Sequence, residues 1–210
     1  LREGAKAAKR VENEGRHAGL IDGHIGASGG LTWLILGRLH LVVISELLSG
    51  RSRPLDAIGS SIGSWRHAAM AQPDPIQAYD RFEQAYLTQN YTSAKPTVPE
   101  ITEVALWLMR TLLGEKGERH VAQHSWLRSH IVTARGRGFN GRQPGKRLIA
   151  GMGVAALGNA VSRGTLPASF QRVVFASSSA EPLTPLFDGF GTRYIDLAAK
   201  NVYSALMASG

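Results

Sequence analysis

The pattern of apolar and polar positions along the chain alternates between short apolar runs and longer periodic segments. Leu20–Ile25, Leu55–Ile58, Ile131–Thr133, Arg172–Ala176 and Arg193–Leu197 read as strands. Between them lie segments whose apolar residues recur at helical spacing. Residues 2–16, rich in Ala, Lys, Arg and Glu, predict an exposed N-terminal helix. Leu31–Leu48 is the longest apolar stretch. Thr32, Arg38, His40, Ser45 and Glu46 interrupt it, which argues against a membrane span and for a buried helix. Ile62–Ala71 holds no breaker before Pro73. Asp74-Pro75 then restarts a helix, with Asp74 as cap and Ile76, Tyr79, Phe82, Tyr86 and Leu87 as its apolar stripe. Thr97-Val98-Pro99-Glu100 is a capping box opening a helix with Ile101, Val104, Ala105, Leu108 and Leu112 on one face, ended by Gly114. Leu148–Val161 and Ala198–Ala208 complete the helices, and 177–185 is a serine- and proline-bearing loop. Strands alternating with helices predict an α/β fold with a mostly parallel sheet flanked by helices. The expected organisation is a helix over 1–19 followed by one domain over 20–210.

One stretch carries a chemical pattern. Leu55–Ile58 runs into Gly59-Ser60-Ser61-Ile62-Gly63, a Gly-x-Ser-x-Gly sequence passing from strand to helix. That is the layout of a nucleophile elbow, in which a sharp turn exposes the central hydroxyl, here Ser61. A glycine-serine turn without chemistry is the plain alternative. One strand earlier, Gly26-Ala27-Ser28-Gly29-Gly30 links a strand to a helix. Such a loop leaves N–H groups free to hold a negative oxygen, so Gly29 and Gly30 are candidate oxyanion donors. The loop lacks the spacing of a Walker or dinucleotide fingerprint. Gly151-Met152-Gly153-Val154-Ala155-Ala156 matches a dinucleotide loop only loosely and reads as a small-residue helix.

Charge changes the picture in one region. The net charge is +8, and no Asp or Glu occurs from Arg119 to Ala180. Arg135-Gly136-Arg137 through Arg142 makes a basic loop there. Such asymmetry points to an anionic partner, a phospholipid surface, an acidic substrate or nucleic acid, or to a merely solvated basic face. The absence of cysteine removes disulfides and thiolate metal sites. His120 and His124 would share a helix face, but without the Glu of a zincin pattern they give no metal site, and nothing asks for a cofactor. The histidines after Ser61 are His67, His120, His124 and His130, so a late acid followed by a later histidine is impossible within this chain. That weakens an ordinary Ser-His-Asp triad.

Taken together, the glycine loop with Trp33-Leu34, the Gly-Ser-Ser-Ile-Gly elbow with Trp65-Arg66, and Ala71-Gln72-Pro73-Asp74-Pro75 resemble the patatin-like phospholipases, in their bacterial branch. Tyr91 with Lys95-Pro96-Thr97, His130–Arg137, Arg172-Val173-Val174-Phe175, Gly191-Thr192-Arg193-Tyr194 and 205–210 extend the resemblance over most of the chain beyond residue 20. The resemblance implies a three-layer sandwich and a serine lipid acyl hydrolase that forms an acyl-serine intermediate. Ser61 would be the nucleophile, and Gly29 and Gly30 the oxyanion hole. A Ser-Asp dyad would supply the base, without cofactor or metal. The substrate would be a phospholipid or related lipid ester, in the cytoplasm with peripheral contact to an anionic membrane. Two departures stand out. Leu31-Thr32 replaces the basic residue that usually follows the loop glycines, and no Asp-Gly-Gly is present. In the resemblance that motif follows the helix ending at Ala208-Ser209-Gly210, so the acid is expected beyond residue 210 and this form is expected to turn over weakly. Asp188, in Asp188-Gly189-Phe190, is the substitute within the chain. A non-catalytic basic module binding anionic lipid or nucleic acid, and an ordinary α/β-hydrolase esterase, remain the other readings.

Overall fold

A computed structural model describes residues 5–15, 18–137, 166–183 and 191–210. Among them, five strands form one sheet in sequence order: β1 (Gly23–Gly26), β2 (Leu55–Gly59), β3 (Leu127–Gly136), β4 (Phe170–Ser177) and β5 (Thr192–Leu197). β1 with β2, β2 with β3 and β4 with β5 pair in parallel, whereas β3 and β4 are antiparallel. The sheet is therefore mixed and mostly parallel, and the class is α/β. The described helices are α1 (Ala5–Glu14), α2 (Thr32–Val42), α3 (Ile62–Met70), α4 (Pro75–Thr88), α5 (Val98–Leu113), α6 (Gly117–Ala122), α7 (Leu166–Ser169) and α8 (Val202–Ser209). No helix among the described residues is long and apolar enough to cross a membrane. The helix expected over Leu148–Val161 lies outside the described residues.

The helix starts follow from capping chemistry. Asp74 accepts from the Gln77 N–H at 2.9 Å, with Pro75 at the first helical position. Thr97 and Glu100 close a reciprocal capping box at the head of α5. At the far end of α5, the Arg81 guanidinium donates to the Thr111 and Leu112 carbonyls at 2.6–3.1 Å, satisfying groups that the helix leaves open. The core lies between α3, α4 and α5 and the face of β2 that carries Leu55, Ala57 and Gly59. Trp33 stacks on Tyr79 at 4.2 Å, and both are fully buried with Phe82, Met109, Leu112 and Leu113.

Four sequence expectations change. The stretch from 31 to 48 is helix Thr32–Val42 continued by a π-helical turn, Val43–Leu47, and it is not buried all round. One face packs through Trp33 and His40, while Leu31, Ile35, Leu39 and Val42 are exposed. An apolar residue at nearly every position hides which face turns inward. In α4 and α5, Ile76, Leu87 and Ile101 are exposed, and Ala78, Ala85, Met109 and Leu113 take the core instead. β3 spans ten residues rather than three, because it is paired along both edges and buried on parts of both faces, which erases alternation. Arg135 and Gly136 thereby belong to a strand rather than a loop. Finally, α6 ends at Ala122, so His120 and His124 do not share a helix. His124 Nδ1 accepts from the N–H groups of Trp126 and Leu127, at 3.4 and 3.0 Å, where β3 begins.

β1, β2 and β3 end at the same pole, and Ser61 follows β2 there. The opposite pole is laced by Arg10 to Asp22 at 2.8 Å, Arg53 to the Gly19 carbonyl and Arg51 to the Ile21 and Pro54 carbonyls. β4 and β5 run the other way, so α8 starts near α6 at that laced pole and climbs back to bring Ser209 to Ser64.

Candidate active site

Ser61 occupies the turn between β2 and α3 with φ 53° and ψ −136°. A side chain bearing a Cβ reaches this region only under strain of order 1–3 kcal/mol, so the surroundings must enforce it. They do so by close backbone approach. A Cβ added to Gly59 would stand 2.6 Å from the Ser64 nitrogen, one on Gly26 would stand 2.6 Å from the Gly63 carbonyl oxygen, and one on Gly63 would collide with the Gly26 carbonyl oxygen. Glycine at all three lets α3 sit directly on the ends of β1 and β2. Hydrogen bonds complete the turn: Gly63 N–H to the Ser60 carbonyl and Ser64 N–H to the Ser61 carbonyl, each at 3.0 Å.

The glycine loop is tied to this turn. Ser28 Oγ donates to the Ser60 carbonyl at 3.0 Å, and Gly26 touches Gly63. Gly29 and Gly30 are exposed, and their N–H groups make no hydrogen bond among the described residues. Their carbonyls receive Thr32 and Trp33 N–H at the head of α2. The Ile62 N–H, first in α3, is also unpaired among the described residues, and sequence reading did not single it out. The Ser61 hydroxyl is half-buried and has no hydrogen bond to any described residue, so no described base touches it. Asp188, Arg142, Lys146, Arg147 and Arg163 lie outside the described residues. Arg135 and Arg137 are exposed at the end of β3, with Arg137 Nη1 donating to the Pro167 carbonyl at 3.1 Å.

Beneath the elbow sits a set of groups that no single segment revealed. Arg66 is 2% exposed and forms no ion pair among the described residues. Its guanidinium donates to Thr32 Oγ1 at 3.3 Å and to the Ala27 carbonyl at 3.5 Å, and lies 5.8 Å from the Trp33 ring centre. It thus bridges the nucleophile helix to the glycine loop. His67 lies one helical turn past Gly63, and His24 two strand positions before Gly26. The contact between those glycines therefore brings the histidines together, with His24 Nδ1 2.8 Å from His67 Nε2. The His40 ring stands 5.3 Å from that of His24 and 5.7 Å from that of Tyr79. Burial, with the charges of His24 and Arg66, pushes His40 down to about 3. Burial likewise holds His67 well below the ordinary imidazole value and lowers His24. All three are neutral at pH 7. His130, on the other face of the sheet, pairs with Asp56 at 2.8 Å.

No protein-family model, no curated protein and no solved structure matches the chain.

Proposed function

We propose that the protein is a serine acyl hydrolase of patatin-like type, with a patatin-like three-layer fold, acting on phospholipids or related lipid esters. The observation that carries the reading is the strained Ser61 backbone held by the contacts of Gly26, Gly59 and Gly63. Strain of this kind clusters at functional turns. In the reaction, Ser61 Oγ attacks the ester carbonyl carbon while its proton passes to a base. The oxyanion is held by free N–H groups, with Gly29 and Gly30 as candidates and Ile62 beside them. The tetrahedral adduct expels the alcohol, which takes back the proton, and water then cleaves the acyl-serine. The base is a carboxylate supplied from outside the described residues. Supporting this, Ser209 Oγ lies 2.7 Å from Ser64 Oγ in the first turn of α3, so residues following Gly210 in a longer chain would begin beside the elbow. The enzyme works in the cytoplasm, in peripheral contact with the membrane.

A fluorophosphonate probe tests the reading. In a chain long enough to carry the base it should label Ser61, the Ser61→Ala variant should not react, and Ser60→Ala and Ser64→Ala should retain labelling. Undiminished labelling of Ser61→Ala rejects the assignment.

A further inference from the structure

α2 leaves the glycine loop and runs from the Ser61 pole along the flank of the molecule. Its inner face packs through Trp33, Gly37 and His40 on Tyr79. Its outer face carries Leu31, Ile35, Leu39 and Val42, which are 67, 76, 63 and 55% exposed. Spacings of four, four and three residues set these side chains in one stripe along the helix. Scattered exposed leucines need no explanation, but a contiguous aliphatic stripe on a surface helix marks a contact.

We infer that this stripe is the lipid-docking face of the protein, lying flat in the headgroup region of an anionic bilayer. The inference rests on the lipid hydrolase reading for its substrate and deepens it by naming the surface that meets the membrane. Three observations select lipid over a protein partner. The four exposed residues Leu31, Ile35, Leu39 and Val42 are all branched aliphatics, with no Trp or Tyr anchor of the kind that dominates protein interfaces among them. No Asp or Glu occurs between Asp22 and Glu46, so β1, the glycine loop and α2 bring no anion to the surface, in a chain of net charge +8. A face without carboxylates is not repelled by an anionic leaflet, which attracts basic proteins within about a Debye length. The stripe also begins at Leu31, next to the loop that would hold the oxyanion. A helix face sunk about 5–10 Å into the headgroup boundary would set the elbow at the membrane rim.

The test uses the 210-residue chain with vesicles of phosphatidylcholine alone and mixed with phosphatidylglycerol. Because the chain has no cysteine, Ile35→Cys takes a single polarity-sensitive dye. The dye should shift to the blue with the mixed vesicles, and much less with the neutral ones. The double variant Ile35→Glu/Leu39→Glu should lose at least tenfold in vesicle partitioning. Val98→Glu, at another exposed apolar residue on α5, should partition like the parent. A dye insensitive to vesicles, or a double variant that partitions like the parent, overturns the inference. So does a stripe buried in a dimer in solution, seen as a concentration-dependent mass that the double variant abolishes. Ser61 labelling by a soluble probe separates the two readings. Ser61-dependent labelling without stripe-dependent partitioning removes the docking face alone, and stripe-dependent partitioning with labelling that survives Ser61→Ala removes the hydrolase alone.

Discussion

Lowering the pH from about 7 to about 5 should cost this fold roughly 2 kcal/mol through His40, and more in the same direction through His67. His40 and His67 are the two deepest. They are surrounded by His24 from β1, Arg66 from α3 and Tyr79 from α4, and no carboxylate among the described residues pairs with either. In the unfolded chain each titrates near the ordinary value of about 6.5. In the folded chain burial holds His40 at about 3 and His67 well below its usual value. Below about pH 6.5 the unfolded chain therefore binds protons that the folded chain refuses, and stability falls as pH falls. At pH 5, about 1.5 units under the unfolded value and above the folded one, His40 contributes a loss of about 2 kcal/mol at 1.36 kcal/mol per unit, and His67 adds to it in the same direction. About 2 kcal/mol from His40 alone is already a sizeable part of a typical domain stability of about 5–15 kcal/mol. Urea unfolding followed by circular dichroism at both pH values measures this loss directly. His40→Phe supplies the control. It keeps a ring against Tyr79, removes a buried Nε2 that has no partner, and cannot take a proton. The variant's loss should be about 2 kcal/mol smaller than the parent's. Packing differences shift its stability at both pH values alike and leave the pH difference untouched. A His40→Phe protein losing as much as the parent, or a parent equally stable at both pH values, refutes the argument.

Two predictions concern the elbow. Gly63→Ala drives a methyl group into the Gly26 carbonyl, so it should lose about 2 kcal/mol or more by urea unfolding and lose probe labelling with it. An unchanged midpoint would show that α3 is free to lift off β1. Ser61→Gly removes the side chain from a positive-φ position, so it should gain about 1 kcal/mol while losing all labelling, whereas Ser61→Ala should gain nothing.

The parts of this molecule that were legible in the sequence are those fixed by neighbours in the chain. Leu55 to Gly63 spelled the strand, turn and helix of the elbow because glycine at 59 has a local steric cause, the backbone of Gly63 and Ser64. Asp74 and the Thr97/Glu100 pair announced the starts of α4 and α5 because capping acts over three residues. What stayed hidden depended on distant partners. The inward face of α2 is chosen by Tyr79, 46 positions after Trp33, whose carbonyl its hydroxyl reaches at 3.2 Å. The length of β3 is set by pairing with β2 and β4, and Ser129 and His130 carry no strand signal of their own. The cluster of His24, His40, His67 and Arg66 draws on β1, α2 and α3. Its one foreshadowing was the spacing of His24 and His67 from Gly26 and Gly63, readable only once those glycines are known to touch.

The return of α8 to the elbow has a practical side. The Ser64–Ser209 contact puts Gly210 at the Ser61 pole, while α1 is fastened through Arg10 and Asp22 at the other. A purification tag or fused reporter joined after Gly210 would stand over the candidate nucleophile, competing with probes and vesicles alike. The same addition before α1 would hang from the far end of the molecule. Handles for labelling or lipid assays therefore belong before α1, because whatever is joined after Gly210 bears directly on the elbow.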